Sequence, residues 1–315
     1  MRVSVIIVNF NGAPFVYDCL AGLERQSFKD FEVLVVDNGS TDGSLEKIRA
    51  RFPSARIIEL GENKGWASGC VRGWKESKGQ DIALLNNDAV PEPDWLQEMV
   101  AGLDSDPSAG MIDCTVINKR TGRIESCGLY PVRYGFVHQL KTGAEQGYPE
   151  IFGVSGVAPL FRGIMLKEVG FFCEDFVMYY EEPDLAYRAR RAGWKTLCCP
   201  RVRVFHLGSE TARKMRIRNY YLSRNRLRTI VRNWDLRLIL KNLPWLVFYD
   251  FLAFWNGIFF RDRASLKARI DFLGFLPKDL KARQQIFAKT KPEFNLEKWL
   301  CKEGPGIMEL WRRRR

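Results

Sequence analysis

The sequence is poor in histidine and contains no CxxC motif. These shortages argue against a zinc site and against a disulfide scaffold. It has 2 histidines among 315 residues, so a zinc site built from Cys and His is not expected. The 8 cysteines form no CxxC pair and no disulfide-scaffold spacing, which predicts reduced, mostly buried thiols in a cytosolic protein. A secretory signal peptide is not expected either, because Arg2 leads straight into a strand-like run with no small-residue cleavage site before Asn9.

The chain does have ample apolar material for a core. Hydrophobic residues make up 46% of it and aromatic residues 13%, so wholesale disorder is not expected. A length of 315 residues is enough for one large α/β domain with an appendage.

Positive charge is concentrated in the last third of the chain. The net charge is +12, but residues 201–315 carry 27 Lys and Arg against 10 Asp and Glu, and the final four residues, 312–315, are all arginine. Residues 1–200 are net acidic. This asymmetry predicts a polyanionic partner, which is a nucleic acid, an anionic lipid or a pyrophosphate-bearing substrate. The alternative is a solvated basic face.

Strand-like and helical runs alternate over the first 90 residues. The strand-like runs are rich in β-branched residues, and the helical runs carry apolar residues at helical spacing. Such alternation predicts a parallel sheet with right-handed crossovers. The predicted strands cover 3–8, 31–36, 55–60 and 82–85, and the predicted helices cover 15–26, a segment ending near 52, and 66–77.

One strand end carries a cluster of polar groups. The apolar run 82–85 ends abruptly in Asn86-Asn87-Asp88, and Pro91 and Pro93 then oppose regular structure. In an open α/β sheet, ligands bind beyond the carboxyl ends of the strands. A carboxylate there, with amide oxygen nearby, suits a hard divalent cation that bridges phosphates. The alternative is an Asx-type turn.

A second polar block lies at the start of a predicted helix. Glu181 and Glu182 come just before Pro183, which suits the first helical position, and Asp184 suits the positive helix N-terminus. A short predicted strand, 203–205, then leads to His206.

The last third contains two distinctive helical segments. Residues 213–232 are helical in pattern and densely basic. Residues 244–260 form an apolar, aromatic run that is marginal for a membrane-spanning helix, which needs about 20 residues. Flanking cations and terminal tryptophans favour a helix that lies in the headgroup layer. The alternative is a core helix packed on the rest of the protein.

Several motifs follow one another in a specific order and spacing. They are VIIVNFNG at 5–12, VVDNGSTDGS at 35–44, NKGWASG at 63–69, LLNND at 84–88 and YEEPDL at 180–185, followed by His206. Together they resemble the family 2 inverting glycosyltransferases, and most closely the rhamnosyltransferase-like branch that works on bacterial polysaccharide intermediates. The resemblance covers residues 3–230. Each motif alone is weak, but the ordered set is specific.

The resemblance implies a GT-A fold, an α/β architecture in which a Rossmann-like, mostly parallel sheet with flanking helices binds a nucleotide sugar. A basic and aromatic helical region would follow it. The resemblance implies that Asp37 accepts hydrogen bonds from the base or ribose, whereas the alternative is an N-cap for the following helix. The other implied nucleotide-binding residues are Asn9 and Asn11, mainly through backbone, Lys64 and Gly65 at a helix start, and Asn86 and Asn87.

The resemblance also implies a metal site. Asn86 and Asp88 correspond to the family's DxD motif, in which Asp88 would ligate Mg²⁺ or Mn²⁺ on the diphosphate and Asn86 would supply a neutral ligand. Asn in place of the first Asp leaves fewer charges on the metal. His206 matches a family histidine that can complete the site, and the alternative is a satisfied core histidine.

The resemblance places the catalytic base at the second member of the acidic pair. That residue is Glu182, where the family usually has Asp, and the extra methylene moves the carboxylate by about 1 Å. Either the acceptor lies farther out, or Glu181 shares the role. We expect the helix N-terminus to keep Glu182 ionised at neutral pH, as a base must be.

These inferences predict a metal-assisted, inverting glycosyltransferase of cell-wall or polysaccharide biosynthesis. The expected donor is dTDP-rhamnose, with UDP-galactose, UDP-glucose or UDP-N-acetylglucosamine as alternatives, and the expected acceptor is a lipid-linked saccharide or polysaccharide. We expect a GT-A catalytic domain over 1–212, with a nucleotide-sugar half over 1–110 and an acceptor half over 111–212. The helical region 213–315 would hold the enzyme on anionic lipid at the cytoplasmic face of the cell membrane.

Two other interpretations remain open at this point. In one, the protein binds nucleic acid and 213–232 tracks phosphates, but no nucleic-acid motif occurs and the acidic 1–200 would repel a polyanion, so no nucleic-acid partner is expected. In the other, the protein is a catalytically inactive scaffold, an interpretation that Asn86 and Glu182 keep open. A homodimer is compatible with every interpretation.

Overall fold

The computed structural model describes residues 1–13, 15–141, 147–208, 218–259 and 262–301. The start of the predicted basic helix, 213–217, and the terminal arginine run lie outside the described residues.

Strands and helices alternate through the first half of the chain, as the sequence pattern predicts. The strands within the described residues are β1 (Val3–Asn9), β2 (Phe31–Asp37), β3 (Arg56–Glu59), β4 (Asp81–Leu84), β5 (Ala89–Pro91), β6 (Ala109–Asn118), β7 (Ile124–Ser126), β8 (Leu129–Pro131), β9 (Val137–Gln139), β10 (Glu150–Ile151), β11 (Leu160–Phe161) and β12 (Lys195–His206). The α-helices there are α1 (Val16–Glu24), α2 (Ser44–Arg51), α3 (Trp66–Glu76), α4 (Trp95–Ser105), α5 (Gly163–Val169), α6 (Glu181–Arg191), α7 (Arg218–Asn233), α8 (Leu236–Phe259) and α9 (Arg263–Ala288).

One mixed sheet forms the centre of the fold. Its strands lie in the order β10, β12, β6, β11, β4, β1, β2, β3, while β5 pairs with β12 and β7 with β6. The strands β1, β2, β3 and β4 pair in parallel, and Asn9 lies in register with Asp37 at the carboxyl ends of β1 and β2. β1 is buried along nearly its whole length, because helices cover both faces of a parallel sheet. The predicted parallel α/β sheet is confirmed.

The segment after Asp88 differs from the prediction. The prolines were expected to exclude regular structure there, yet Ala89–Pro91 forms β5 and pairs antiparallel with the end of β12. A proline has no N–H to donate, and it is tolerated where a short strand lies at an edge. This pairing places Ala89 opposite His206 and thereby brings Asp88 to the histidine.

Two other predicted boundaries are wrong. The predicted strand 203–205 is the end of the much longer β12, which pairs in parallel with β6 and has an irregularity between Cys199 and Arg203. Helix α6 begins at Glu181, so Pro183 occupies the third helical position rather than the first. The acidic pair is therefore part of the first helical turn.

The helices α7, α8 and α9 follow the sheet. Helix α8 begins at Leu236, eight residues before the predicted start, and it contains Pro244 within it. Within the described residues it is the one helix long and apolar enough to cross a membrane, and 11% of its most apolar 18-residue window is buried. A core helix would be mostly buried, so the interpretation of this segment as a core helix is not supported.

The predicted basic helix does not expose the arginines of its second half. Arg224, Arg226, Arg228 and Arg232 are all buried. Burying each guanidinium costs desolvation free energy, which a paired carboxylate or hydrogen bonds must offset. Their partners are Asp250 for Arg226, Asp279 for Arg228 at 2.8 Å and Asp184 for Arg232 at 2.8 Å, while Arg224 donates to backbone carbonyls. These four cations are therefore not available to lipid or to nucleic-acid phosphates.

Candidate active site

Polar side chains gather where β1, β2 and β4 end, and Asn9 links them. The amide nitrogen of Asn9 donates to Asp37 at 3.3 Å, to Ser40 at 3.1 Å and to Ser44 at 3.0 Å. Its amide oxygen accepts from the amide of Asn87 at 3.2 Å. The predicted nucleotide-binding residues Asn9, Asp37 and Asn87 are thus one hydrogen-bonded group.

The carboxylate of Asp37 is occupied by its own turn. It accepts from the backbone N–H groups of Gly39 at 3.0 Å and Ser40 at 2.9 Å, and from the Ser40 hydroxyl at 2.5 Å. It does not cap the next helix, since the Ser44 N–H at the start of α2 donates to Asp42. Asp37 therefore shapes the turn at the sheet edge.

Asn11 lies farther out on the same edge. It has a left-handed backbone, with φ of 50°. Its side-chain oxygen accepts from the Thr41 N–H at 2.8 Å, and its own N–H donates to the Ser40 hydroxyl at 3.0 Å. The two turns that follow β1 and β2 are thereby joined.

Lys64 and Gly65 are held by Asn38, a residue that the sequence analysis did not single out. Its amide donates to the Gly65 carbonyl at 3.0 Å and accepts from the Lys64 N–H at 3.3 Å. Gly65 is required because a Cβ there would lie 2.5 Å from a methyl carbon of Val177. The start of α3 therefore packs directly on the loop that precedes α6.

His206 lies between two carboxylates. Its Nε2 is 3.2 Å from Asp88, and its Nδ1 is 3.1 Å from Glu125 on β7. The Asn86 amide is 3.4 Å from Nε2. Burial alone would lower the pKa of His206, but the bonds to Asp88 and Glu125 outweigh it and raise the pKa to about 9.

The residues at this position fit part of a metal site. No set of three His, Cys, Asp or Glu side chains in the described chain is arranged to hold a metal ion by itself. Asp88 Oδ1 and His206 Nε2, at 3.2 Å, have nearly the spacing of about 3 Å expected for adjacent ligands of an octahedral ion. Glu125 on Nδ1 would orient the ring, as carboxylates do for metal-binding histidines. A cation here would need further ligands from a bound diphosphate.

Glu125 could not be found from sequence. It lies on a three-residue strand in a region without a motif, and it reaches His206 across 81 positions of the chain.

The acidic pair at the start of α6 contains two different carboxyl groups. Glu181 is 2% exposed, and its Oε2 has no hydrogen-bond partner among the described residues. Burial, reinforced by Glu182, raises its pKa well above the ordinary value. Glu182 is partly exposed, and burial raises its pKa to about 7. The expectation that the helix N-terminus keeps Glu182 fully ionised is wrong, because burial outweighs the bond from its own N–H.

Glu182 packs against the backbone of Gly156. A Cβ at Gly156 would lie 1.8 Å from the Glu182 Oε1, so only glycine leaves the carboxylate its place. The next residue, Val157, accepts a hydrogen bond from the Asn86 N–H at 2.9 Å. The segment 155–157 therefore lies between the acidic pair and the Asn86–Asp88 strand end, and it contacts both Glu182 and Asn86.

Comparison with solved structures supports this architecture. The mannosyltransferase PcManGT from Pyrobaculum calidifontis, solved with GDP-Man and Mn²⁺, matches with a TM-score of 0.57 and 20% sequence identity. The match covers 91% of this chain and 87% of that chain. The fold is the GT-A architecture, as predicted.

The sequence comparison defines the family. The model described as "Glycosyl transferase family 2" matches residues 4–169, more than half of the chain. The chain therefore belongs to glycosyl transferase family 2.

Two curated relatives resemble a larger part of the chain. The N-acetylglucosaminyl-diphospho-decaprenol L-rhamnosyltransferase of Mycobacterium tuberculosis is 26% identical in an alignment 239 residues long that covers 64% of this chain and 75% of that protein. The O-antigen biosynthesis protein RfbC of Myxococcus xanthus is 25% identical in an alignment 236 residues long that covers 69% of this chain and 18% of that protein. The chain thus spans less than a fifth of the Myxococcus protein.

Proposed function

We propose that the protein is an inverting, metal-assisted glycosyltransferase that uses Glu182 as its base. The observation that carries this proposal is the position of a partly exposed carboxyl group with a raised pKa, separated by the short segment 155–157 from the Asn86–Asp88 strand end. A base with a pKa near 7 is well matched to neutral conditions. Glu181, buried and protonated, supports Glu182 instead of sharing its role.

The proposed reaction is a single displacement. The acceptor hydroxyl oxygen forms a bond to the anomeric carbon while its proton passes to the Glu182 carboxylate. The bond between that carbon and the diphosphate oxygen breaks, and the electron pair leaves with the nucleotide. When bound, Mg²⁺ or Mn²⁺ would supply Lewis-acid stabilisation of the charge on the departing nucleotide. Asp88, His206 and Asn86 would hold that cation.

The nucleotide would lie along the edge formed by the turns after β1 and β2. Asn11 is exposed there, and Asn9, Asp37 and Asn87 keep those turns in place. Lys64, whose side chain is half exposed, would approach the phosphates from the start of α3.

We propose L-rhamnose as the sugar and a lipid-linked saccharide as the acceptor. The mycobacterial relative is named for rhamnosyl transfer to a diphospho-decaprenol intermediate, and it matches over 64% of this chain. UDP-galactose, UDP-glucose and UDP-N-acetylglucosamine are the alternative donors.

We also propose that α8 rests on the cytoplasmic surface of the membrane that carries the acceptor. Most of its large aromatic and aliphatic side chains are exposed, and large exposed apolar patches mark interaction surfaces. Because the densest arginines of α7 are buried, apolar contact rather than those charges would supply the affinity. The exposed apolar residues of α8 are Leu236, Leu240, Leu243, Trp245, Val247, Phe248, Phe251, Leu252, Phe254, Trp255, Ile258 and Phe259.

A donor screen tests the enzymatic proposal. The protein is incubated with Mn²⁺ or Mg²⁺ and with N-acetylglucosamine linked to polyprenyl diphosphate as the acceptor. One donor is added to each reaction: dTDP-rhamnose, UDP-galactose, UDP-glucose or UDP-N-acetylglucosamine. Nucleotide release and sugar transfer are both measured. We expect transfer from dTDP-rhamnose that is lost in Asp88→Ala and Glu182→Gln. Glu76→Gln, which changes an exposed carboxylate at the far end of α3, is the control and should keep full activity. Transfer that survives Glu182→Gln would exclude that residue as the base.

A further inference from the structure

The loop 176–180, directly before the acidic pair, has an unfavourable backbone. It holds three of the four non-glycine residues with positive φ in the described chain: Val177 at 66°, Tyr179 at 66° and Tyr180 at 76°. This region of backbone space is unfavourable for a residue with a Cβ, and most of all for a β-branched one. Such a conformation persists only where the surroundings hold it.

The strain is sharpest at Val177. The Phe176 carbonyl accepts from the Met178 N–H at 2.7 Å, and Val177 between them has φ of 66° and ψ of −57°. This is a three-residue turn of the rare, strained hand. Tyr180, with a left-handed backbone, then leads into α6. The loop therefore sets the direction in which Glu181 and Glu182 enter the site.

Asn225 of α7 holds this loop through its carbonyls. Its side-chain nitrogen lies 2.9 Å from the Phe176 oxygen, 2.9 Å from the Met178 oxygen and 2.8 Å from the Tyr179 oxygen. The residue is fully buried, and its amide oxygen accepts from Arg224 Nε at 2.9 Å, which fixes the orientation of the amide.

Other contacts fasten the two sides of the loop. Arg224 donates to the carbonyls of Asp175 at 2.7 Å and Phe176 at 3.1 Å from the side of α7. From the opposite side, the Ala67 N–H at the start of α3 donates to the Val177 carbonyl at 3.1 Å. The loop thus joins the proposed donor-binding edge to the proposed base.

We propose that Asn225 is a positioning residue, which holds the strained loop 176–180 and thereby aims the Glu182 carboxylate at the acceptor. This inference rests on the proposed role of Glu182. Asn225 touches neither substrate nor metal in this scheme, so its loss should affect the chemical step more than donor binding. A residue that only stabilised the fold would not produce that selective effect.

The first test needs no substrate. Amide hydrogen exchange of the peptide covering 175–185 is compared in wild type, Asn225→Ala and the size-conserving Asn225→Asp, which loses the donor groups. We expect at least tenfold faster exchange in 177–182 in both variants, with β1 and β2 unchanged. Asn219→Ala, which removes an exposed bond to Asp262 from the same helix, is the control and should exchange as wild type does. Unchanged exchange in the loop would overturn the proposal.

The second test separates positioning from stability. With dTDP-rhamnose and the polyprenyl-linked acceptor, we expect Asn225→Ala to lower kcat at least tenfold while the donor KM stays within twofold. Val177→Gly relieves the backbone strain. In that background, the factor by which Asn225→Ala lowers kcat should be at least three times smaller than it is in the wild-type background. A wild-type kcat in Asn225→Ala, or an equal loss in both backgrounds, would contradict the proposal. If wild type transfers no sugar at all, the proposed function fails, and the exchange data still decide whether Asn225 holds the loop.

Discussion

At the scale of single residues, the two carboxyl groups that start α6 differ in their exposure, and their chemistry differs with it. Glu181 is almost fully buried, and burial, reinforced by Glu182, raises its pKa well above the ordinary value. A raised pKa favours the neutral acid, which limits the repulsion between two adjacent carboxyl groups. Glu182 is partly exposed and loses its proton near neutrality, since its pKa is about 7. Its partial exposure and its pKa near neutrality are the reasons for proposing Glu182, and not Glu181, as the base.

The raised pKa of Glu182 predicts a pH dependence of the transfer reaction. The ionised carboxylate is the active base, so kcat should rise with pH through the pKa of Glu182, near neutrality. Glu182→Gln should lower kcat by roughly 10²–10⁴-fold and remove this dependence. The measurement is kcat against pH for both proteins at saturating donor. A wild-type rate that falls off only at the ordinary glutamate pKa of about 4.3 would contradict the prediction.

Gly156 offers a second prediction at this scale. The Cβ of Gly156→Ala would lie 1.8 Å from the Glu182 carboxylate. That distance is too short for two atoms that are not bonded, so the carboxylate must move, and it can do so because it ends a flexible side chain. We expect kcat to fall by roughly 10²-fold, as a displacement of about 1 Å can produce, with little change in Tm. Gly274→Ala is the control, because, apart from its chain neighbours and the backbone of its own helix, no atom lies within 4 Å of the added carbon. If Gly156→Ala retained the wild-type kcat, the position of Glu182 would not matter for transfer.

At the scale of secondary-structure elements, buried ion pairs join α6, α7 and α9. Asp184 of α6 accepts from Arg188 at 2.8 Å, from Arg232 at 2.8 Å and from Asn233 at 2.9 Å. Arg232 also reaches Asp279 of α9 at 3.3 Å. Burial alone would raise the pKa of Asp184, but Arg232 and Arg188 outweigh it and hold the pKa well below its usual range. The helix that bears the acidic pair is thus fixed to the C-terminal helices.

Removing this carboxylate should destabilise the protein strongly. Asp184→Asn leaves Arg188 and Arg232 buried with reduced compensation, and breaking a buried pair costs about 3–5 kcal/mol in free energy of unfolding. Urea unfolding at pH 7 measures the loss, and Asp18→Asn, at an exposed site, should stay within about 0.5 kcal/mol of wild type.

The pH dependence of stability gives an independent check. A carboxylate with a lowered pKa stabilises the fold fully above its unfolded pKa of about 3.9 and loses that contribution as pH falls further. Wild type should therefore lose stability below about pH 4 more steeply than Asp184→Asn. Equal slopes would show that Asp184 is not the group responsible.

At the scale of the whole molecule, charge and apolar surface are distributed differently from what composition suggests. The last third is strongly basic, yet four arginines of α7 are buried in ion pairs and backbone contacts. Helix α8, by contrast, exposes most of its large apolar side chains, and α9 exposes Ile270, Leu273 and Leu280. In the proposed membrane contact, apolar side chains rather than these arginines would supply the affinity, and a phosphate-tracking α7 is not supported.

Vesicle binding tests this distribution. We expect Phe251→Ala/Phe259→Ala to reduce binding to neutral phosphatidylcholine vesicles at least tenfold, since each exposed phenyl ring contributes up to about 2 kcal/mol when it leaves water. Ile124→Ala/Ile164→Ala, which removes two exposed apolar side chains from the catalytic half, is the control and should bind as wild type does. Equal binding of all three proteins would exclude α8 as the membrane contact.

The sequence by itself determined the parallel half of the fold and the family. Strand and helix periods are local patterns, and polar residues that follow buried strands must meet at one edge of a parallel sheet. The family resemblance assigned Asn9, Asp37 and Asn87 to one nucleotide-binding edge, and in the structure their side chains are hydrogen-bonded to one another. The ordered motifs from Val5 to Leu185 predicted the family and the fold, and both are confirmed.

Only the tertiary structure decided which charged groups are buried and which partners they meet. Arg232 and Asp184 are 48 positions apart, and His206 and Glu125 are 81 apart, so no local pattern predicts either contact. The same holds for the loop at Val177, where Asn225 from another helix donates a hydrogen bond to the Phe176 carbonyl. The physical reason is that the free energy of a buried charge or a strained backbone depends on groups brought together by folding, whereas periodicity reports only a residue's neighbours along the chain.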